Sequence, residues 1–187
     1  RLFFINSMLK YTTRELFDRH QSAKTPDLLA KTIVCLHNIR SNYNVGSVFR
    51  NADAFGIKEI YLSGFTPSPP STEISKTAIG AENNVRWRSF NDWEECYRAL
   101  QKKSAYLVGV EQTKAAIPLN SFQPNHKNMS ALAYVFGNEV KGLEEEVLAQ
   151  CNEQVIIPQF GEKHSLNISV SNGIVLYHTL TISSLMQ

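Results

Sequence analysis

Thr32-Ile33-Val34-Cys35-Leu36, then His37-Asn38-Ile39-Arg40-Ser41-Asn42-Tyr43-Asn44-Val45-Gly46-Ser47-Val48-Phe49-Arg50, then Glu59-Ile60-Tyr61-Leu62: this succession decides the fold. The first run is continuously apolar and β-rich, the form of a strand covered on both faces of a parallel sheet. A polar loop follows, and Val45, Val48, Phe49, Ala52 and Phe55 recur at helical spacing until Gly56 closes the helix. A second apolar run then begins. Strand, helix and strand in that order make a βαβ unit, so the fold class is α/β, a parallel sheet flanked by helices.

The same pattern continues downstream. Gly64 to Ser71 is a proline-dense loop. Val85 to Phe90 alternates, as an edge strand does, with Trp87 inward and Arg86 and Arg88 in water. Asn91-Asp92-Trp93 caps a helix to about Lys103, followed by the strand Ala105 to Val110, which ends at Glu111-Gln112-Thr113. Residues 115–128 read as a loop with His126 exposed, and Ser130 to Phe136 as another buried strand. Glu144, Glu145 and Glu146 open a short helix, and this acidic run reads as solvated rather than metal-binding. Gln154 to Ile157 is the last strand. The final helix, with Ile168, Ile174, Val175, Leu176, Tyr177 and Leu180, is apolar around much of its circumference, which calls for cover on more than one side and points to a subunit interface. Upstream, Leu2 to His20 has loose helical spacing and Thr25-Pro26-Asp27 breaks it. Residues 1–30 form an N-terminal helical extension and residues 31–187 one domain.

With 187 residues, 43% of them hydrophobic and 19% charged, the chain suits one globular domain with a substantial core. A formal net charge of +2 neither demands nor excludes a polyanionic partner. Cys35, Cys96 and Cys151 are widely spaced and odd in number, against a disulfide framework or a zinc site, and a reducing, cytoplasmic setting is expected. No apolar run reaches bilayer-crossing length, so no membrane partner is expected. Asn44-Val45-Gly46-Ser47 carries a single glycine, against a dinucleotide fingerprint, and there is no P-loop.

Three strand exits concentrate polar groups, and ligands of α/β sheets bind at such exits. The first carries Asn44 and, further along its helix, Arg50. The second is Gly137-Asn138-Glu139-Val140-Lys141-Gly142-Leu143, where two glycines let backbone approach a ligand and Glu139 can accept hydrogen bonds. The third is Ile157-Pro158-Gln159-Phe160-Gly161-Glu162-Lys163-His164-Ser165-Leu166-Asn167-Ile168-Ser169. Taken singly, each has a plainer explanation. Ser165, Asn167 and Ser169 serve as helix caps, and Arg50 as a surface residue whose stem covers apolar atoms.

Together, in this order and wording, the three motifs resemble the SpoU/TrmH family of RNA methyltransferases in the SPOUT superfamily, from about Lys31 onward. The resemblance implies an α/β knot, its C-terminal segment threaded as a deep trefoil, a rare exception to ordinary chain topology. It further implies S-adenosyl-L-methionine as cofactor, a homodimer through the knot and C-terminal helix, and methyl transfer to a ribose 2′-hydroxyl of tRNA or rRNA. By the same resemblance Arg50 would assist deprotonation of the hydroxyl, with Asn44 organising its loop, Glu139 lining the site, and Ser165 and Asn167 positioning loops and substrate. Leu132, Phe136, Gly137, Asn138, Gly142, Ile157, Pro158, Gly161 and Leu166 would cradle the cofactor; no metal is implied. Gln159 stands where the family commonly has Met, and Ser171 where Ala is usual. The alternative is a non-catalytic RNA-binding or assembly protein that keeps the knotted dimer.

Overall fold

The structure, a computed structural model, describes residues 10–124, 129–162 and 165–184. Seven strands form one sheet: β1 (Thr32–His37), β2 (Glu59–Ser63), β3 (Arg86–Phe90), β4 (Ala105–Val110), β5 (Ile117–Pro118), β6 (Ala131–Phe136) and β7 (Glu153–Ile156). Their order is β3-β2-β1-β6-β4-β7-β5 and every pairing is parallel. The chain therefore walks outward from β1 to β3, crosses to β4 and β5, and returns to insert β6 beside β1 and β7 beside β4. The direction of winding reverses around β1 and β6, the position at which ligands of open α/β sheets bind.

The described helices are α1 (Thr13–Ser22), α2 (Asp27–Ala30), α3 (Asn42–Ala54), α4 (Thr72–Ala78), α5 (Trp93–Gln101), α6 (Glu145–Ala149) and α7 (Ile168–Ser184). Alternation along the buried strands separates two cores. Val34, Leu36, Ile60, Leu62, Tyr134 and Phe136 pack with Val48 and Phe49 of α3 and Val175 and Leu176 of α7. Ile33, Cys35, Tyr61, Ala133 and Val135 face the other way, onto Trp93, Cys96 and Leu100 of α5 and Val147 of α6. A strand whose residues are all buried, like β1 and β6, needs a helical layer on each face.

Local signals set the helix starts. Thr12 caps α1 in a capping box with Glu15, Ser41 caps α3, Ser71 caps α4 and Asp92 caps α5. The edge-strand reading of β3 is met: Trp87 packs against the core, Arg86 is exposed, and the Arg88 guanidinium lies over the Tyr61 and Phe90 rings. Three expectations need correction. Residues 115–128 are not all loop, because Ile117–Pro118 pairs with β7, and a proline is tolerated there at the sheet edge. The last strand runs Glu153–Ile156, one residue earlier than its apolar pattern indicates. Within the Glu run, Glu144 is not simply solvated: it pairs with His37 and Asn38, described below. Leu28 and Leu29 of α2 are buried in the α3–α7 core, so the segment before residue 31 is partly built into the domain. Residues 1–9 of the extension and His126 lie outside the described residues.

Candidate active site

The carboxyl ends of β4, β6 and β7 open into a cleft of about 620 Å³. Phe136, Val110, Val155, Ile157, Leu166 and Ile168 give it apolar walls, and Asn44, Glu111, Asn138, Glu139, Ser165 and Asn167 add polar groups. A cavity of this size and mixture suits a small organic ligand.

The second motif forms its upper edge as a tight turn. Asn138 and Gly142 exchange backbone hydrogen bonds of 3.1 and 2.9 Å, and the Asn138 Oδ1 accepts from the amides of Val140 and Lys141 at 2.9 and 3.0 Å. Gly142 has φ of +70°, the left-handed region. A Cβ on Gly137 would lie 2.4 Å from the carbonyl carbon of Gly142, so the turn closes onto a position with room only for hydrogen.

Glu139 joins this turn to the first motif. Its carboxylate accepts from the amides of Arg40 at 2.9 Å and Ser41 at 3.1 Å, and from Asn44 Nδ2 at 3.0 Å. Burial acts to raise the Glu139 pKa, but these hydrogen bonds together outweigh it and hold the carboxyl below its ordinary value. Asn44 then reaches the third motif: its Oδ1 accepts from Asn167 Nδ2 at 3.0 Å. Asn167 also caps α7, its Oδ1 accepting from the amide and hydroxyl of Ser169 at 2.9 and 2.6 Å. One chain of side chains, Glu139–Asn44–Asn167, thus ties together loops about 100 residues apart in sequence. Asn167 is both a helix cap and a member of the site.

The remaining expected residues divide. Phe136, Gly137, Asn138, Gly142, Ile157, Leu166 and Ser165 line the cleft. Leu132 is fully buried on β6, and Pro158 and Gly161 are exposed outside the cleft. Arg50 is exposed on α3 and does not line the cleft of this single chain. No group of described residues has the makings of a metal site.

Two contributors carry signals too weak to single out in the sequence. Asn38, at φ of 55°, receives Asn138 Nδ2 on its carbonyl at 2.8 Å and the Phe65 amide on its Oδ1 at 3.3 Å, and donates Nδ2 to Glu144 at 3.0 Å. Asparagine tolerates that left-handed backbone better than most residues. Beside it, His37 is buried, bonded through Nδ1 to Ser63 Oγ at 2.8 Å and set 3.2 Å from Glu144; burial lowers its pKa against the opposing pull of that carboxylate. The other is Glu111, an acid ending an otherwise apolar strand.

Comparison with known proteins agrees with this geometry. The model of the SpoU rRNA Methylase family matches residues 31–177. A curated relative, the 23S rRNA (guanosine-2'-O-)-methyltransferase RlmB of Shewanella oneidensis, is 32% identical over 158 residues, 82% of this chain and 62% of the relative. The enzyme of the same name from Vibrio vulnificus is 29% identical with the same coverage. This chain thus spans about three fifths of the length of these relatives. Among solved structures, an AdoMet-bound rRNA methyltransferase from Sinorhizobium meliloti superposes with a TM-score of 0.76 at 25% identity, over 85% of this chain and 59% of that one. The A. aeolicus TrmH/SpoU tRNA modifying enzyme shares the fold, with a TM-score of 0.71 at 20% identity over 84% and 77%. A cleft at the carboxyl ends of a parallel sheet, lined by three motifs linked through Asn44, and a family match across most of the sequence lead to one conclusion: the chain belongs to the SpoU rRNA methylase family.

Proposed function

We propose that this chain is an S-adenosylmethionine-dependent methyltransferase acting on a ribose 2′-hydroxyl of rRNA or tRNA. The observation that carries the reading is the Glu139–Asn44–Asn167 hydrogen-bond chain at the mouth of the cleft, because it gathers all three motifs around one ligand-sized space. The lining fits the cofactor. Phe136, Ile157 and Leu166 offer apolar surface to a nucleoside base, and the turn from Gly137 to Gly142 brings backbone close to it. When bound, the cofactor supplies an electrophilic methyl carbon on its sulfonium. The protein's part is positioning: an in-line approach of hydroxyl and methyl needs both reactants held in register, which Glu139, Asn44, Ser165 and Asn167 are arranged to do.

Arg50 assists deprotonation of the hydroxyl. The guanidinium offers only donors, so its part is to hold a neighbouring substrate phosphate and stabilise the negative charge developing on the 2′-oxygen, while solvent takes the hydroxyl's proton. Its exposure outside the cleft fits a group completed by substrate or by a second copy of the chain. A homodimer is part of the proposal: Val170, Ile174 and Tyr177 are exposed along α7, and with Asn51, Ser169 and Gly173 they border a shallow groove. So is the trefoil knot, supported by the late insertion of β6 and β7 into the sheet and by the family resemblance.

The curated relatives are named for guanosine 2′-O-methylation in 23S rRNA, so that RNA is the first substrate to test. Methyl-labelled S-adenosylmethionine, the protein and unmodified 23S rRNA or tRNA should give label at a ribose, mapped by resistance of the 3′ linkage to alkali. Cofactor binding without transfer to any RNA would favour a non-catalytic RNA-binding protein instead.

A further inference from the structure

The cleft has a second carboxylate, Glu111, at the end of β4. It is built in. Oε1 accepts the Gln112 amide at 2.8 Å and Oε2 accepts the Leu143 amide at 2.9 Å, so each oxygen is anchored to backbone by one bond. Its closeness to the second motif is possible because Gly142 has no side chain: a Cβ there would lie 2.3 Å from Glu111 Oε2.

An ionised carboxylate offers about four acceptor positions, two per oxygen. On Glu139 three donors, the Arg40 and Ser41 amides and Asn44 Nδ2, take up most of that capacity. On Glu111 two backbone amides take one position on each oxygen, which leaves, among the described residues, one open position on each. Two adjacent open acceptors, rigidly held in a cleft of nucleoside size, match two adjacent hydroxyl donors. The group with that pattern is a ribose whose 2′ and 3′ hydroxyls are both free. An internal RNA nucleotide does not have it, since its 3′ oxygen is esterified. A free nucleoside does.

We infer that Glu111 is the ribose-binding residue of the cleft, accepting hydrogen bonds from the vicinal 2′,3′-diol of the cofactor's adenosine. The inference rests on the cofactor reading above and adds to it a recognition group on β4. Gly142 then has two uses: it turns the second motif and it clears space for the carboxylate. Hydrogen bonds to a charged acceptor are the stronger kind, so the diol contributes selectivity as well as affinity.

Calorimetry with two probes tests this: S-adenosylhomocysteine and its 2′,3′-dideoxy analogue, each titrated into the wild-type protein and Glu111→Gln. The glutamine keeps an acceptor for the Leu143 amide while removing the charge and replacing one oxygen. The expected result is a loss of about ten- to a hundredfold in affinity of Glu111→Gln for S-adenosylhomocysteine, with less than about a threefold loss for the dideoxy analogue. Equal losses for both probes would make Glu111 only a brace for the turn and overturn the inference; so would no loss for either. Wild-type protein that binds neither probe would instead bring down the cofactor reading itself, and the inference with it. If Glu111→Gln does not fold, Glu111→Asp, which keeps the charge but withdraws it by one methylene, carries the same comparison.

Discussion

Replacing Gly137 by alanine tests whether the second motif is held by backbone packing. The added Cβ would lie 2.4 Å from the Gly142 carbonyl carbon, 2.5 Å from its oxygen and 2.6 Å from the Leu143 nitrogen. Non-bonded carbons settle at about 3.5–4.0 Å, so the opposing backbone must retreat by roughly 1 Å. No flexible side chain is there to give way. That retreat stretches the two Asn138–Gly142 hydrogen bonds and the Leu143 amide bond to Glu111. With each hydrogen bond contributing about 1 kcal/mol net and some strain remaining, Gly137→Ala should cost about 2–4 kcal/mol of stability. Urea denaturation followed by circular dichroism measures it, alongside cofactor calorimetry, which should show a clear loss of affinity. Gly161→Ala is the control: nothing lies within 4 Å of its Cβ position, and its cost should stay within about 0.5 kcal/mol. A Gly137→Ala protein as stable as the control, with unchanged cofactor affinity, would refute the reasoning.

Three further outcomes are expected. Arg50→Ala should abolish methyl transfer while leaving cofactor affinity within about threefold, because Arg50 stands outside the cleft; a labelled-methyl assay that finds the variant active removes Arg50 from the mechanism. Asn44→Asp removes the amide that donates to Glu139 at 3.0 Å and sets a second carboxylate against it, while the remaining oxygen still accepts from Asn167; transfer should fall by about a hundredfold or more, and thermal melts should show destabilisation of about 1–3 kcal/mol. The folded protein holds Glu139 below its ordinary pKa of 4.5. The unfolded chain therefore binds the proton more readily, and this group's contribution to stability is complete above the ordinary value and lost as pH falls through the lowered one. Denaturation midpoints measured from pH 6 downward should drop less steeply for Glu139→Gln than for the wild type.

The opening βαβ unit could be read from residues alone. Thr32 to Leu36 is apolar without interruption because β1 is covered on both faces, and Gly56 marks the end of α3 because a turn follows it. Two of the three polar strand exits were legible for a similar reason: Gly137 and Gly142 are residues that a tight backbone turn demands, and Asn167 is one that capping demands. Other parts carried weaker local signals. Helix α4 is two turns of mostly polar residues after a proline-rich loop, and β5 is two residues long with a proline, so neither has enough periodicity to stand out.

The sequence by itself determined the layering, since burial on both faces of a strand is written in its side chains. Only the tertiary structure decided which strands are neighbours. Inserting β6 between β1 and β4 brings Glu139 to Asn44 and Glu111 to Leu143, pairs separated by 95 and 32 residues. Such contacts depend on chain crossing and on the closure of long loops, and no local pattern records them. For the same reason Glu111 reads only as the end of a strand, and Arg50, which the family resemblance implies is part of the site, stands outside the cleft of a single chain.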